Sequence, residues 1–328
     1  MAALRAGLIG LGMMGRHHAR VLGSLEGVEL VAVADPGGDV HGVARHLEVG
    51  RTVEDVLAAR PDYVVVAAPT QHHEAIGLTL AEAGVHALLE KPLASTSDEA
   101  SRLAAAFAER GLVGAVGHIE RFNPALRDLR RRLEQGDLGD IYQVSTRRQG
   151  PFPGRIADVG VVKDLATHDI DLTAWVTQAP YVTVSAHVAL KSGREYEDLV
   201  AASGLLEGGV VTNHLVNWLS PFKERTTVVT GEKGAFVADT LTADLTFYAN
   251  GTGETTWESL AGFRGVAEGA STRFALVKRE PLLVEHEAMR DAVLGRGGDI
   301  VTLEQGLATV RVAEAVLRSA SSGESVRL

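Results

Sequence analysis

Between residue 3 and about residue 118 the chain repeats one unit: a short aliphatic run, a turn, then a longer stretch with apolar residues three and four apart. The runs are "RAGLIG", "VELVAVAD", "YVVVAA", "VHALLE" and "LVGAVG". Unbroken apolar runs of this length suit strands covered on both faces. The intervening "MMGRHHARVLGSL", "HHEAIGLTLAEAG" and "SDEASRLAAAFAERG" have helical spacing. Gly84 and Gly111 stand where helix C-terminal caps belong. The pattern predicts a doubly wound parallel sheet with helices on both sides.

From Phe122 to Gln135 the spacing predicts another helix, with the arginines of "RDLRRRLEQG" on its solvated face. Beyond Asp140 apolar and polar residues alternate in "IYQVSTRR", "YVTVSAHVAL", "VVTNHLVNWL", "ERTTVVTG" and "LTADLTFYAN", as in an antiparallel sheet with one open face. A helix is expected around Val161 to Thr177, and two more in "LLVEHEAMRDAVLG" and "TLEQGLATVRVAEAVLRSA". The expected fold is therefore α/β in two domains. Residues 1–120 form one half and residues 121–328 the other, whose last helix can pack back on the first.

Composition narrows the classes of partner. With 328 residues, 45% of them hydrophobic and 23% charged, the chain is long enough for two well-buried cores. A net charge of -10 disfavours nucleic acid and anionic lipid. There is no cysteine, which removes disulfides, thiolate catalysis and Cys-ligated metals. The first residues read as no targeting signal, and no stretch approaches the roughly 20 apolar residues of a membrane span. A cytoplasmic protein is expected.

"GLIGLGMMGRHHARVL" holds Gly10, Gly12 and Gly15 in G-x-G-x-x-G spacing between a strand and a helix, with Met13 and Met14 at the helix start. The first glycine permits the tight turn, the second lets a pyrophosphate approach the backbone, and the third lets the helix pack closely. Asp35 follows Gly15 by 20 residues, at the end of the next strand, where a carboxylate accepts hydrogen bonds from ribose hydroxyls and repels a 2'-phosphate. NAD is expected over NADP; a simple turn role in "DPGG" is the alternative for Asp35. Pro69, Thr70 and His73 follow the third strand, and Glu90 and Lys91 end the fourth, so all five are candidates to line the cofactor cleft. His72 and His73 point about 100° apart on a helix and do not make a metal pair.

In "VVKDLATHDID", Asp164 and His168 are four apart, which on an α-helix sets them about 40° apart, with Asp171 about 20° from Asp164. A carboxylate beside an imidazole is the arrangement of an oriented general base, and equally of a structural pair on a helix. Lys91, at a strand end in an apolar segment, adds a second group able to exchange a proton with a hydroxyl. No further ligands complete a metal site around Asp164, His168 and Asp171, so no metal is expected.

With these motifs in view the chain resembles the Gfo/Idh/MocA oxidoreductases: the glycine motif, "EKP" at Glu90 to Pro92, and the D-x-x-x-H pair of Asp164 and His168 carry the resemblance over nearly the full length. It implies a Rossmann domain followed by an α/β domain with a large, mostly antiparallel sheet, and a homodimer or homotetramer formed through that sheet. It implies Lys91, Asp164 and His168 as catalytic residues on a small-molecule sugar. "GHIERFNPAL", "PFPGRIADVGVVKDLATHDIDL" and "LVNWLSPFKERTTVVTGEKGAFVADTLTADLTFY" are similar to the branch that oxidises the 3-hydroxyl of UDP-N-acetylglucosamine. Free sugars or inositols are the alternative substrates, and a redox-inactive NAD-binding regulator is the alternative class. Arg121 and Asn123 would then face cofactor and sugar, Arg155 and Lys223 a diphosphate. Lys163 departs from the aliphatic residue expected there.

Overall fold

The structure, a computed structural model, describes residues 3–154, 159–251 and 268–328. The opening segment runs β1 (Leu4–Ile9), α1 (Met13–Leu22), β2 (Val28–Ala34), β3 (Val49–Gly50), α2 (Val53–Leu57), β4 (Tyr63–Val66), α3 (His73–Glu82), β5 (His86–Glu90), α4 (Ser97–Glu109) and β6 (Gly114–Gly117). The six strands are parallel in the order β3-β2-β1-β4-β5-β6. All four residues of β4 are buried, as the unbroken run "YVVV" requires of a strand sandwiched between helices. Helices α2 and α4 start at capping boxes, Thr52 with Asp55 and Thr96 with Glu99, which satisfy N–H groups that the first turn leaves over. The order reverses between β1 and β4, the position at which doubly wound sheets open a crevice at their carboxyl ends.

The segment after it holds α5 (Pro124–Glu134), β7 (Ile141–Pro151), a π-helical turn at Val162–Ala166 continuing into α6 (Thr167–Thr177), and then β8 (Tyr181–Ala189), β9 (Leu199–Leu206), β10 (Val211–Asn217), β11 (Leu219–Gly231), β12 (Gly234–Asp239), β13 (Asp244–Asn250) and β14 (Glu268–Arg273). With β15 (Val326–Arg327) they form a nine-stranded sheet, β14-β13-β12-β11-β7-β10-β9-β8-β15, antiparallel except where β7 lies parallel to β10. Buried and half-buried positions alternate along β12, the sign of a sheet covered on one face. Strand β9, "LVAASGLL", is absent from the strands expected above because its small residues give little β-signal. Those residues fit a crowded spot: a Cβ on Gly204 would lie 2.8 Å from Thr212 Oγ1 and 2.9 Å from the Thr183 carbonyl oxygen.

Two closing helices follow, α7 (Pro281–Val293) and α8 (Leu303–Ser322). The chain folds as two compact units, Met1–Ile119 with Glu280–Glu314, and Glu120–Arg279 with Ala315–Leu328. The first unit thus takes in α7 and most of α8, whereas the expected division kept both with the second half apart from the return of the last helix. Periodicity identifies a helix but not the sheet it covers. Within the first unit Met289 of α7 joins Leu8, Leu22 and Val65 in the core, the Val301 carbonyl accepts from Val116 N–H at 2.9 Å, and Glu314 Oε1 accepts from Ser97 N–H at 2.9 Å.

Candidate active site

The glycine turn follows the sequence expectation residue by residue. Gly10 has φ of +92°, and a Cβ there would fall 2.6 Å from the Ala67 backbone; a Cβ on Gly15 would fall 1.9 Å from the Gly10 carbonyl oxygen. A Cβ on Gly12 would meet nothing within 4 Å, so this glycine faces the open space into which a pyrophosphate must come. Gly12 is the N-cap of α1 and no side chain caps the helix, which leaves the first-turn N–H groups around Met13 and Met14 to an anion. The residues present therefore fit a dinucleotide.

Asp35 serves the turn from β2: its Oδ2 accepts from Leu11 N–H at 2.8 Å and its Oδ1 from Gly37 N–H at 2.7 Å. The carboxylate thus shapes the "DPGG" turn, the alternative role given for it, and stands beside the glycine turn, while each oxygen keeps a further lone pair. Pro69 and Thr70 follow β4, and Thr70–His72 form a short 3-10 turn. His73 is buried, with Nε2 2.9 Å from the Ala68 carbonyl oxygen and Nδ1 3.1 Å from that of Pro92; burial lowers its pKa. It ties the segments after β4 and β5 together.

Glu90, expected along the cofactor cleft, is buried, and its carboxylate turns inward. Oε1 lies 2.9 Å from His18 Nε2, and Oε2 accepts from the backbone N–H of Lys91 at 3.1 Å. Burial alone would raise its pKa, but the His18 hydrogen bond and the charge of Lys91 hold it below the ordinary value. Lys91 itself is half-buried at the carboxyl end of β5.

In the second unit Asp164 and His168 are both buried, but not on one α-helix as expected. Asp164 belongs to the π-helical turn and His168 to α6, so the angle computed for an α-helix does not apply. π-Turns of this kind are rare and frequent at functional sites. Asp171 grips Arg121 through two hydrogen bonds, Arg121 Nε to Oδ2 at 2.7 Å and Nη2 to Oδ1 at 2.6 Å, with both side chains buried. Arg121, expected to face the ligand, thus holds α6 to the residues after β6. Asn123 caps α5: its Oδ1 accepts from Ala125 N–H at 3.0 Å, and its Nδ2 donates to the Thr240 carbonyl at 3.0 Å. Arg155 lies outside the described residues.

Beside His168, Asp169 joins a buried lattice that the sequence did not reveal. Arg148 donates to Asp169 at 3.0 Å and to Glu120 at 2.8 Å, and Arg225 Nη1 lies 3.4 Å from Glu120. Burial outweighs the guanidinium and pushes Asp169 up to about 6, whereas Arg148 and Arg225 offset burial at Glu120 and hold it below its usual value. Only the alternation of β7, with Arg148 at an inward position, hints at this lattice in the sequence. Among the described residues no group of three or more His, Asp or Glu side chains is arranged to hold a metal ion, and no helix is long and apolar enough to cross a membrane.

Residues 4–118 match the family model described as "Oxidoreductase family, NAD-binding Rossmann fold", and residues 126–237 match the Gfo/Idh/MocA C-terminal domain. A UDP-N-acetylglucosamine 3-dehydrogenase of Acidithiobacillus ferrooxidans is 31% identical over 89% of this chain and 90% of its own. A solved structure of that enzyme covers 98% of this chain and 99% of its own, with a TM-score of 0.87 at 28% identity. Inositol 2-dehydrogenase 2 of Saccharopolyspora erythraea is 30% identical over 98% of this chain and 94% of its own. The structure of GenD2 from gentamicin A biosynthesis in complex with NAD covers 100% of this chain and 97% of its own, with a TM-score of 0.82 and 27% identity. The motifs, the two matched domains and these full-length similarities agree: the chain belongs to the Gfo/Idh/MocA family of oxidoreductases.

Proposed function

We propose that the protein oxidises a secondary hydroxyl of a sugar with NAD, and that the sugar is carried on a nucleotide, the hydroxyl being at C3 of a UDP-N-acetylhexosamine. The observation that carries the reading is that Lys91 leaves the carboxyl edge of the same sheet as the glycine turn, two strands from β1, hence about 10 Å along that edge. A dinucleotide held at the glycine turn would extend along this edge toward Lys91.

Bound NAD supplies the acceptor for the hydride that leaves the sugar carbon. Lys91 donates a hydrogen bond to the reacting oxygen. His168, oriented by Asp164, takes the hydroxyl proton; a positioned imidazole of this kind contributes on the order of 10²–10⁴ in rate. Asp35 favours NAD over NADP because its carboxylate, fixed on Leu11 N–H and Gly37 N–H, would repel a 2'-phosphate. The similarity to the A. ferrooxidans 3-dehydrogenase supports a nucleotide sugar. The similarity to inositol 2-dehydrogenase 2, over 98% of this chain, supports a free polyol as the second reading. A homodimer or homotetramer belongs to the same proposal.

The test is turnover of NAD with UDP-N-acetylglucosamine, its uronic acid and myo-inositol, using the wild type and Lys91→Met. Lys91→Met is expected to lower kcat at least about 10²-fold while the Kd for NADH moves less than about threefold. Full activity in that variant would remove Lys91 from the chemistry, and turnover of myo-inositol alone would select the second reading.

A further inference from the structure

Three buried side chains from three separate elements stand in series behind Lys91. Glu90 Oε1 lies 2.9 Å from His18 Nε2, and His18 Nδ1 lies 2.8 Å from His286 Nε2. His18 comes from α1, the helix that starts at the glycine turn, and His286 from α7. Both imidazoles are fully buried, and their rings meet edge to face with centroids 5.0 Å apart.

The partners assign the protons. Glu90 is ionised, so His18 Nε2 must carry a hydrogen and donate it. Between His18 Nδ1 and His286 Nε2 there is room for one hydrogen. Were it on His18, His286 would have to keep its own on Nδ1, an N–H that is buried and has no partner among the described residues. Were it on His286 Nε2, only a lone pair is left over at Nδ1, the less costly orphan. Burial lowers the pKa of His286 well below the ordinary value, consistent with a neutral ring. The chain therefore runs one way: His286 Nε2–H to His18 Nδ1, His18 Nε2–H to Glu90 Oε1, with Glu90 Oε2 accepting Lys91 N–H. It is a dead end at His286, so it cannot conduct protons; what it can do is fix orientation.

We infer that His286 is a positioning residue for Lys91: by donating to His18 Nδ1 it holds the His18 ring in the plane from which Nε2–H meets Glu90, and Glu90 in turn holds the Lys91 backbone. Without that donation the ionised Glu90 still keeps the hydrogen on His18 Nε2, but the ring loses its second tether and can turn, which loosens the clamp on Lys91. The orientation of an imidazole is commonly fixed by the hydrogen bond at its other nitrogen. The room for this arrangement is built in at β6, where a Cβ on Gly117 would fall 3.1 Å from Glu90 Cδ. The inference rests on the role proposed for Lys91, yet it concerns an arrangement of protons that exists whether or not substrate is turned over.

The experiment compares wild type, His286→Leu and His286→Gln, the last of which keeps an amide N–H near the Nε2 position. Folding is checked by thermal melting, and His18 is followed by ¹⁵N-histidine NMR, its signals identified by their loss in His18→Gln. Wild-type His18 should be protonated at Nε2 and bare but hydrogen-bonded at Nδ1; in His286→Leu the Nδ1 signal should shift toward that of a bare nitrogen without a hydrogen bond, with Nε2 still protonated. His286→Leu should lose about tenfold in kcat with the NADH Kd within about twofold, and His286→Gln should recover to within about threefold of wild type. A wild-type His18 protonated at Nδ1, an unchanged His18 in His286→Leu, or equal kcat values for His286→Leu and wild type would each overturn the inference, as would an equal loss in the Leu and Gln variants. If the wild type turns over none of the sugars, the proposed function has failed, and the His18 spectra alone decide the chain of protons.

Discussion

Glu90 in the first unit and Asp169 in the second are both buried carboxyl groups next to a residue with a proposed catalytic role, but they are neutralised by different means. Glu90 meets two imidazoles in line, and each link depends on which nitrogen holds the hydrogen. Asp169 shares one guanidinium with Glu120, and Arg148 has donors for both in any protonation state it can reach. The first arrangement is directional and is undone by losing one donor; the second is a charge balance and is undone by removing a charge. A strand end that holds one side chain in a set orientation gains from the former, and a helix such as α6 that is pinned to a sheet gains from the latter.

The sharpest way to break this contrast is to remove the cation. Arg148→Leu leaves Glu120 and Asp169 buried against one another with Arg225 as the nearest remaining charge, and should destabilise the protein by about 3–5 kcal/mol, read from the urea midpoint. A loss below about 1 kcal/mol would mean the lattice is not held by Arg148.

Next comes the pH dependence of Asp169. Its folded pKa of about 6 lies above the unfolded value of 3.8, so the native state binds the extra proton. That group's stabilisation is complete below the unfolded value and is lost as pH rises through about 6. Asp169→Asn should remove this loss, so that the stability of the variant relative to wild type rises by up to about 3 kcal/mol between pH 4 and pH 7 in denaturant titrations. A parallel pair of curves would place Asp169 at its ordinary pKa and make the two regions alike.

The smallest effect is expected at Glu285, which neighbours His286 on α7. It is buried, both carboxyl oxygens lack a partner among the described residues, and burial followed by the charge of Glu90 raises its pKa well above the ordinary value. It is therefore a neutral acid near neutral pH, and Glu285→Gln, a neutral replacement of the same shape, should change stability by less than about 0.5 kcal/mol at pH 6. At higher pH the wild type alone loses stability as Glu285 ionises, so the two curves should part there. Destabilisation by Gln at pH 6 would show that Glu285 is charged and paired.

Much of the first unit was legible because its signals are local. The glycine spacing, the acid at Asp35 and the strand ending at Lys91 each lie within one turn or one strand, and the backbone conformation at Gly10 follows from the motif. The antiparallel half was legible as a class from its alternation, although β9 escaped because alanine, serine and glycine carry little strand signal. Three features were out of reach. The π-turn at Val162–Ala166 inserts a register change that an assumed α period cannot show. Arg121 carries a polar group suited to a ligand, and only the position of Asp171 shows it in a buried ion pair, whereas a cap role was already the alternative for Asn123 beside Pro124. His18 and His286 are separated by 268 residues, and each alone reads as a lone histidine on the apolar side of its helix.

The first unit is built from two stretches of chain with most of the second unit encoded between them. During synthesis, β1 to β6 and α1 to α4 therefore emerge long before α7, and the side of the sheet that receives Met289 stays uncovered while the nine-stranded half is being translated. A nascent chain stalled before residue 280 would present that sticky seam to chaperones. The contact of His18 with His286 would then be completed only once residue 286 of 328 has been made, making its closure a late checkpoint on the ribosome.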